Sequence, residues 1–502
     1  MTARTLAATL ALALALPLSL AAQTPAAQPP AAPPPISPET SASLDRLAGY
    51  VMLHNPSYEY DRQLADDIGP RLTASENYVK ATDWAVAEFT RLGLKNVHKE
   101  SWTIAASWEP AEFASGHILA PHQQRLHLES EGWSPSTPEQ GVRGDIYYLA
   151  NAGTDEVVKA QADKIKGKIV LIDEASFASA KDTPFGVLID RLNLIASLGA
   201  IAQINGMGAT QNVPSMLGSG YSGVLWPLPV ANLGLEDTLL IRRLLEKGPV
   251  TVKFRFINAI HKQVKVDNVV ADIPGRELPA ETVIIGGHLD SWNHGTGAQD
   301  NGTGAASVLG IAQAVQALNH PPRRTLRFIL FGGEEEGLLG SHAYAKAHEA
   351  DMASTDAVLI TDTGSEAPLG WYPWGRDDEA AALAPVQPLL KNLGSDGISP
   401  SGEFAFETDH ADFMARGVPT LVLWTSIEKY FQLHHKPSDT FDKVNPRDLA
   451  LGSATVAVTA YAIAEQLAPF APHLTRGQVE EQMMKIKQFD QYKDLRDRGQ
   501  IY

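Results

Sequence analysis

Acidic and histidine side chains follow several apolar runs in the second half of the sequence, each where a predicted strand ends. His288 and Asp290 come directly after the apolar run at residues 282–285, and Asp300 precedes a predicted helix. Later predicted strands lead in the same way to a further set of positions: Glu334, Glu335, Glu336, Asp362, His434 and His435. Because open α/β sheets bind ligands beyond the carboxyl ends of their strands, we expect these side chains to share one edge of a sheet.

Each of these positions by itself is more typical of a structural role. A strand-end aspartate is usually a helix cap or loop residue, a lone histidine is usually satisfied by its neighbours, and adjacent glutamates usually form a solvated face. Here residues 334–336 follow Phe331-Gly332-Gly333, straight out of a predicted buried strand. Like charges in such a place repel each other strongly unless a cation or a shared proton compensates. Their coincidence on one sheet edge therefore indicates a metal site.

The amino-acid composition limits which side chains can bind a metal and which class of partner the chain can have. The chain has 502 residues, which predicts two to three domains, and its formal net charge of −17 argues against nucleic acid as the main partner. It has no cysteine, so any metal must be held by histidine and carboxylates. That donor set suits zinc, and a carboxylate between two cations can bridge them.

A pair of metal ions needs a nearby base if it is to hydrolyse an amide. Two metals about 3.5–4 Å apart activate water and polarise a carbonyl, while a further carboxylate moves the proton from water to the leaving amine. Glu334 and Glu335 are adjacent, so one of them can ligate while the other faces the water. Asp290 is so close to His288 along the chain that we expect it to orient the imidazole instead of binding the metal.

The elements that must position these residues alternate between strands and helices. Strands are predicted at 268–273, 282–286, 325–331, 357–361 and 418–424, and helices at 303–318, 338–348, 379–393 and 447–467. This alternation predicts an α/β fold, a three-layer αβα sandwich in which a mixed, mostly parallel sheet is covered by helices on both faces.

Between residues 111 and 261 the sequence changes to short β-like runs separated by turn residues. We predict that this stretch is a small β-rich domain inserted into the α/β domain, which then comprises residues 41–110 and 262–470. The two ends of the insertion are expected to return to the main domain side by side. Residues 471–502 form a mixed-charge, helix-prone tail whose role the sequence does not indicate.

The first residues are typical of an export signal. Arg4 precedes an Ala/Leu run that is too short to span a bilayer, and small residues follow, which predicts a signal peptide at 1–22. Residues 23–40 are rich in Ala and Pro and are predicted to be a disordered linker. No later stretch is apolar enough for a membrane span. We therefore expect an exported protein, periplasmic or secreted, without a membrane anchor.

The same residues resemble a known family. The sequence resembles the co-catalytic zinc exopeptidases, which include bacterial leucyl-type aminopeptidases and glutamate carboxypeptidases, in the motifs His288-x-Asp290, Asp300-Asn301-Gly302, Glu334-Glu335-x-Gly337-Leu338-Leu339-Gly340-Ser341, Asp362, and His435 with Asp439-Thr440. Residues 166–171 also resemble part of the protease-associated domain that many members carry as an insertion.

The resemblance implies two zinc ions per chain. One would be held by His288, Asp300 and Asp362, and the other by His435, Asp300 and Glu335, with Asp300 as the bridge. Glu334 would be the general base and then the general acid, and the Asp300–Asn301 peptide would be cis. The role of His434 is open: it either donates a hydrogen bond to the oxyanion or only packs. Three further positions match a family loop near the site and are interpreted as structural: Asp409, His410 and Asp412.

The implied function is that of an exported di-zinc exopeptidase acting on a peptide substrate. An aminopeptidase is the favoured activity, and a carboxypeptidase or a dipeptidase of the same family stays open. A non-catalytic receptor or binding module has the same fold, but the complete ligand set and Glu334 argue against it. A single-zinc glutaminyl cyclotransferase is another alternative, which a second bound metal would reject. Whether the chain forms a homodimer is left open.

Overall fold

One large mixed sheet runs through the part of the chain that is described. The computed structural model describes residues 36–181, 183–216 and 223–502; the predicted signal peptide and most of the predicted linker lie outside them. The strands are β1 (Lys95–Ala120), β2 (Gln124–Leu126), β3 (Leu128–Ser130), β4 (Val142–Tyr148), β5 (Ile169–Ile172), β6 (Ala202–Asn205), β7 (Val230–Leu233), β8 (Thr251–Ile273), β9 (Leu278–His288), β10 (Arg324–Phe331), β11 (Thr355–Ile360), β12 (Pro368–Tyr372), β13 (Gly397–Ile398) and β14 (Thr420–Thr425). Their order is β13-β12-β14-β11-β9-β10-β8-β4-β5-β6-β7-β3, and β1 pairs with β2 and β8.

Helices cover both faces of this sheet. They are α1 (Pro38–His54), α2 (Pro56–Arg62), α3 (Glu76–Arg91), α4 (Asp155–Lys159), α5 (Ala162–Ile165), α6 (Phe185–Ser197), α7 (Leu235–Leu245), α8 (Thr303–Leu318), α9 (Leu339–Ala347), α10 (Asp377–Ala382), α11 (Gln387–Leu393), α12 (Ala411–Ala415), α13 (Tyr430–Leu433), α14 (Pro446–Glu465), α15 (Arg476–Lys485) and α16 (Phe489–Asp497). Alternate residues of β9 show the two layers: Val283 and Ile285 belong to the apolar core that contains α8 and α14, whereas Ile284 belongs to the core that contains α9, α12 and α15. The predicted αβα sandwich is confirmed.

The strands that precede the candidate site are parallel neighbours. β9 pairs in parallel with β10 and with β11, and β11 pairs in parallel with β14. In this register His288 lies opposite Phe331, and Gly286 lies opposite Ile360. The carboxyl ends of these strands therefore meet at one edge, as predicted.

One predicted helix is wrong. Residues 379–393 were expected to form a single helix, but the chain forms α10 and α11 with a break between them. Pro385 and Pro388 explain the break, because proline has no backbone N–H to donate and its ring clashes with the preceding turn. Pro388 is accommodated in the first turn of α11, where prolines are tolerated.

The region between residues 111 and 261 is entered and left on paired strands. β1 and β8 form a long antiparallel ribbon that is paired from Lys95 opposite Asp272 to Ala120 opposite Thr251, with four register shifts along its length. β10 pairs with the last part of β8, and β4 pairs with the first part, so the strands of the region extend from the far end of the ribbon. Both predicted boundaries fall inside the ribbon, within one continuous sheet. The interpretation as a separate inserted domain stays a prediction.

The two ends of the described chain are helical. α1 begins at Pro38, within the residues assigned to the linker, because the Ser37 hydroxyl caps it by accepting from Thr40 N. It ends at His54, and Asn55 is its C-cap before Pro56 begins α2. The tail forms α15 and α16, which confirms its predicted helical character. Within the described ranges, no helix is both long and apolar enough to cross a membrane.

Candidate metal centre

His288 is the centre of the first group of predicted ligands. It ends β9 and is fully buried. Its Nε2 lies 3.3 Å from Oδ1 of Asp362, which follows β11, and 3.4 Å from Oδ1 of Asp300. Oε2 of Glu334, which follows β10, is further away at 3.8 Å. Three separate chain segments thus deliver polar atoms to one point at the sheet edge.

The second group of predicted ligands lies on the other side of Asp300. Oδ2 of this aspartate is 3.4 Å from Nε2 of His435 and 3.5 Å from Nε2 of His434. His435 Nε2 also lies 3.0 Å from Oε2 of Glu335. The two oxygens of Asp300 therefore face different histidines, as a bridging carboxylate must.

The spacing of these atoms fits zinc. Two ligand atoms about 2.0–2.1 Å from a tetrahedral zinc are about 3.3–3.4 Å apart. The contacts of His288 with Asp300 and Asp362, and of His435 with Asp300, have this separation. Oδ2 of Asp300 and Oε1 of Glu335 are also buried acceptors that receive no hydrogen bond from the described residues. Buried acceptors of this kind are costly unless a cation or a proton reaches them.

The electrostatics of the cluster reflect an excess of carboxylates. Burial raises the pKa of Glu334 well above its usual range and that of Glu335 to about 7, and neighbouring carboxylates add to both shifts. Burial also disfavours ionisation of Asp300, but its histidine neighbours outweigh this and lower its pKa. His435 is buried too, yet Glu335 and Asp300 raise its pKa to about 9. Without a cation, the cluster therefore retains protons that metal binding would release.

Main-chain carbonyls fix both histidine rings. His288 Nδ1 donates to the carbonyl of Asp290 at 3.1 Å, while the carboxylate of Asp290 is 3.6 Å away. His435 Nδ1 donates to the carbonyl of Met216 at 2.9 Å, and Met216 N donates back to the His435 carbonyl at 3.2 Å. Each bond leaves Nε2 of the ring free to face the carboxylates. The Asp290 carboxylate instead accepts from Thr73 Oγ1 at 3.0 Å and from Glu335 N at 3.3 Å.

The backbone around Asp300 is held by two residues to which no role was assigned from the sequence. Asp439 accepts from Gln299 N at 2.7 Å and from Asp300 N at 3.0 Å. Arg71 is fully buried and donates to the carbonyls of Leu289 at 2.9 Å and Gly297 at 2.7 Å. The Asp300–Asn301 peptide is cis, as the resemblance implied. Asp439 belongs to one of the motifs that carry the family resemblance, and Arg71 follows Gly69-Pro70 in the sequence. Neither pattern indicates these hydrogen bonds.

The other predicted residues lie around the cluster. The ring of His434 stacks on that of His435 with 3.6 Å between centroids. Glu336 is fully buried and lies outside the groups of potential ligands in the described part of the chain. His410 is fully buried and stacks on Trp374, with 4.8 Å between centroids. Asp409 and Asp412 are buried as well, the latter beside Arg416.

A cavity of about 350 Å³ opens onto the cluster. Its lining includes four of the predicted ligands, Asp300, Glu335, Asp362 and His435, together with Glu334 and His434. Apolar and aromatic side chains also line it: Phe185, Leu338, Tyr372, Trp374, Phe404 and Phe431. A cavity that combines a few polar reactive groups with apolar and aromatic lining is typical of a small-molecule or peptide-end binding site.

Comparisons with known proteins identify the family of the chain. Residues 268–460 match Peptidase family M28. Carboxypeptidase Q of Mus musculus is 30% identical over 430 residues, covering 85% of this chain and 89% of that protein. Among solved structures, a Peptidase M28 precursor from Shewanella amazonensis is similar with a TM-score of 0.77 and 28% identity, covering 87% of this chain and 99% of that one. A zinc aminopeptidase from Bacillus subtilis shares the fold with a TM-score of 0.63 and 20% identity, covering 84% of this chain and 98% of that one. The chain therefore belongs to peptidase family M28, the co-catalytic zinc exopeptidases, and is a zinc-dependent metallopeptidase.

Proposed function

We propose that this peptidase is a di-zinc aminopeptidase that removes an apolar residue from the free amino terminus of a peptide. The observation that carries the metal count is the orientation of Asp300, whose two oxygens face His288 and His435 on opposite sides. One zinc is then held by His288, Asp300 and Asp362, and the other by His435, Asp300 and Glu335. When bound, the pair supplies a Lewis acid and activates water at neutral pH.

Glu334 is the proposed proton shuttle. It lines the cavity, and its Oε2 is 3.8 Å from His288 Nε2, whereas Glu335 lies 3.0 Å from His435 Nε2. The nearer glutamate is the better candidate for a ligand, and the other is free to accept a proton from water and return it to the leaving amine. Glu334 also lies in a group of potential metal ligands with His288 and Asp362. The alternative is therefore that Glu334 is the ligand and Glu335 the proton shuttle.

The charge of the cavity favours an amino terminus over a carboxyl terminus. Glu407 and Glu334, neither of them assigned to zinc, line it, and none of its described lining residues is Lys or Arg. A carboxypeptidase needs a cation for the terminal carboxylate of its substrate, and carboxylates attract a protonated amine instead. The apolar and aromatic lining of the cavity suits the first side chain of the substrate.

His434 is proposed to donate a hydrogen bond to the carbonyl oxygen of the scissile bond. Its side chain is 31% exposed and lines the cavity, while its ring rests on His435. This position lets one ring nitrogen face a substrate carbonyl without leaving the stack. A donor aimed at the developing negative charge lowers the barrier to the attack of water.

The region between residues 111 and 261 is proposed to complete the site as an inserted domain. It provides Phe185 and Met216 to the cavity wall, and the Met216 carbonyl orients His435. The main-chain bonds between Met216 and His435 join the region to the proposed metal centre at one point.

The specificity test compares peptides that differ only at their ends. The zinc-loaded protein is incubated with Leu-Ala-Ala, its N-acetylated form and its C-terminal amide, and the products are separated by chromatography. We expect cleavage of the free peptide and the amide at the first bond, and no cleavage of the acetylated peptide. Cleavage of the acetylated peptide from its carboxyl end would instead identify a carboxypeptidase. Glu334→Gln, purified in parallel, controls for contaminating peptidases.

A further inference from the structure

The C-terminal tail packs against the segment that carries Trp374, one of the residues that line the cavity. Gln482 of α15 donates its Nε2–H to the carbonyl of Trp374 at 3.0 Å, and Lys485 donates to the carbonyl of Gly375 at 2.6 Å. Tyr492 of α16 is fully buried, with its ring 6.2 Å from that of Phe406. The cavity wall at Trp374 is therefore supported from outside by the tail.

The tail also contacts the first turn of α6, which carries Phe185, another residue that lines the cavity. The Phe185 N–H donates to Oε1 of Gln491 at 3.2 Å. Arg498 Nη2 lies 2.7 Å from Oδ2 of Asp190. Gly186 lets the two helices approach, because a Cβ there would lie 2.5 Å from Arg498 Nε and 2.6 Å from Asp494 Oδ2. Two polar bonds and a close approach thus join α16 to α6.

Arg191 of α6 contacts its own region: it donates to the carbonyl of Ala152 at 2.9 Å and lies 3.3 Å from Asp155. Phe185 belongs to the region 111–261, whereas Trp374 belongs to the main α/β part of the chain, and both line the cavity. A segment that binds to the backbone at both residues constrains their relative position, and with it the room that the cavity offers a substrate side chain.

We propose that the C-terminal tail, residues 476–502, is a specificity strap: it holds Phe185 and Trp374 at the spacing that accepts a large apolar side chain, such as leucine. Gln491 and Arg498 act as positioning residues, since they contact α6 and do not line the cavity. This inference rests on the proposed aminopeptidase function for its substrate. It predicts that loosening the strap changes the selectivity for the first residue and leaves the metal centre intact.

The test removes both bonds to α6 in the full-length zinc-loaded protein. Gln491→Ala combined with Arg498→Ala is compared with Lys493→Ala, which removes a charge from the same helix, where Lys493 pairs with Asp497. KM and kcat are measured for the 4-nitroanilides of L-leucine and L-alanine. Affinities for the hydroxamates of the same two amino acids are measured by calorimetry, and zinc content by mass spectrometry.

We expect the double variant to raise KM for the leucine substrate by about threefold to tenfold, the range for losing the two exposed ion pairs of Arg498 with Asp190 and Asp494 and the hydrogen bond of Gln491. KM for the alanine substrate, kcat and zinc content should stay within about twofold of the parent, as should all values for Lys493→Ala. Asp190→Ala, an exposed change on α6, should raise the ratio of KM for the leucine substrate to KM for the alanine substrate in the same way. Combining it with Arg498→Ala should change this ratio little further, because both variants remove the same ion pair. Equal changes for both substrates, or an unchanged ratio, would overturn the strap.

The binding data separate this inference from the proposed function. If the parent binds both hydroxamates but cleaves neither nitroanilide, the aminopeptidase function fails, and the ratio of hydroxamate affinities in the variants still decides for or against the strap. If the parent cleaves both substrates without preferring leucine, the aminopeptidase function stands and the strap is wrong.

Discussion

The adjacent glutamates 334 and 335 allow chemistry to be separated from metal binding by two isosteric changes. Glu334→Gln keeps the shape of the side chain and removes the base. If Glu334 is the proton shuttle, turnover should fall by ~10²–10⁴, which is about 3–5 kcal/mol of transition-state stabilisation. Zinc content should not change, because its Oε2 lies 3.8 Å from His288 Nε2, beyond the ligand-to-ligand spacing of zinc.

Glu335→Gln should have the opposite effect. Its carboxylate lies 3.0 Å from His435 Nε2 and its pKa of about 7 reflects burial next to Asp300. A neutral amide there is a poorer ligand, and changes even one step removed from a metal lower affinity by about 10–100-fold. We therefore expect the affinity for one zinc to fall by at least about 100-fold, while the other zinc stays bound.

Both variants are assayed together. Zinc per chain is measured by mass spectrometry after equilibrium dialysis at several free zinc concentrations, and kcat is measured on Leu-Ala-Ala at saturating zinc. If Glu334→Gln loses zinc and Glu335→Gln keeps it, the roles of the two glutamates are the reverse of those proposed. If both variants keep their zinc and full activity, neither glutamate has the proposed role.

Three further changes test other parts of the account. His434→Phe should keep the stack on His435 and remove the donor, so kcat should fall by ~10²–10³ with unchanged zinc content; an unchanged kcat would leave His434 a packing role only. Arg71→Leu should lower the free energy of unfolding by about 3–5 kcal/mol, because it leaves the buried carbonyls of Leu289 and Gly297 without their charged donor; denaturant unfolding measures this, and a loss below about 1 kcal/mol would contradict it. Burial lowers the pKa of His410 to about 3, so its neutral form stabilises the fold above pH 6.5 and this stability is lost as the pH falls towards 3. His410→Gln should therefore lose about 2 kcal/mol less of its free energy of unfolding than the parent between pH 6.5 and 4.5, and parallel pH curves would show that the imidazole is not buried as described.

The sequence predicted the elements whose patterns are local. The helix at 303–318 and the strands that end before His288 and Asp362 follow from apolar periodicity and turn residues, and they appear where expected. The helix at 379–393 failed because apolar spacing was followed across Pro385 and Pro388. The predicted domain boundary at residue 111 lies where the ribbon is exposed, at residues 109–113. Strand β1 nevertheless continues through this position.

The residues that complete the site could not be predicted in the same way. Met216 and His435 are 219 positions apart, and the bond between them involves a main-chain carbonyl that no side-chain pattern encodes. Arg71 lies 218 positions from Leu289, and it also donates to a carbonyl. Such contacts depend on where the ribbon of β1 and β8 places residues 111–261 relative to the rest of the chain. That placement is a property of the assembled fold.

The number of zinc ions held around Asp300 tests the central claim most directly. Equilibrium dialysis against zinc, followed by measurement of metal and protein in the same sample, gives the stoichiometry. The account predicts two zinc ions per chain in the parent, and in Asp300→Asn a weaker affinity at both positions, because each oxygen of this aspartate faces a different histidine. A stoichiometry of one in the parent, or two ions with undiminished affinity in Asp300→Asn, would contradict it.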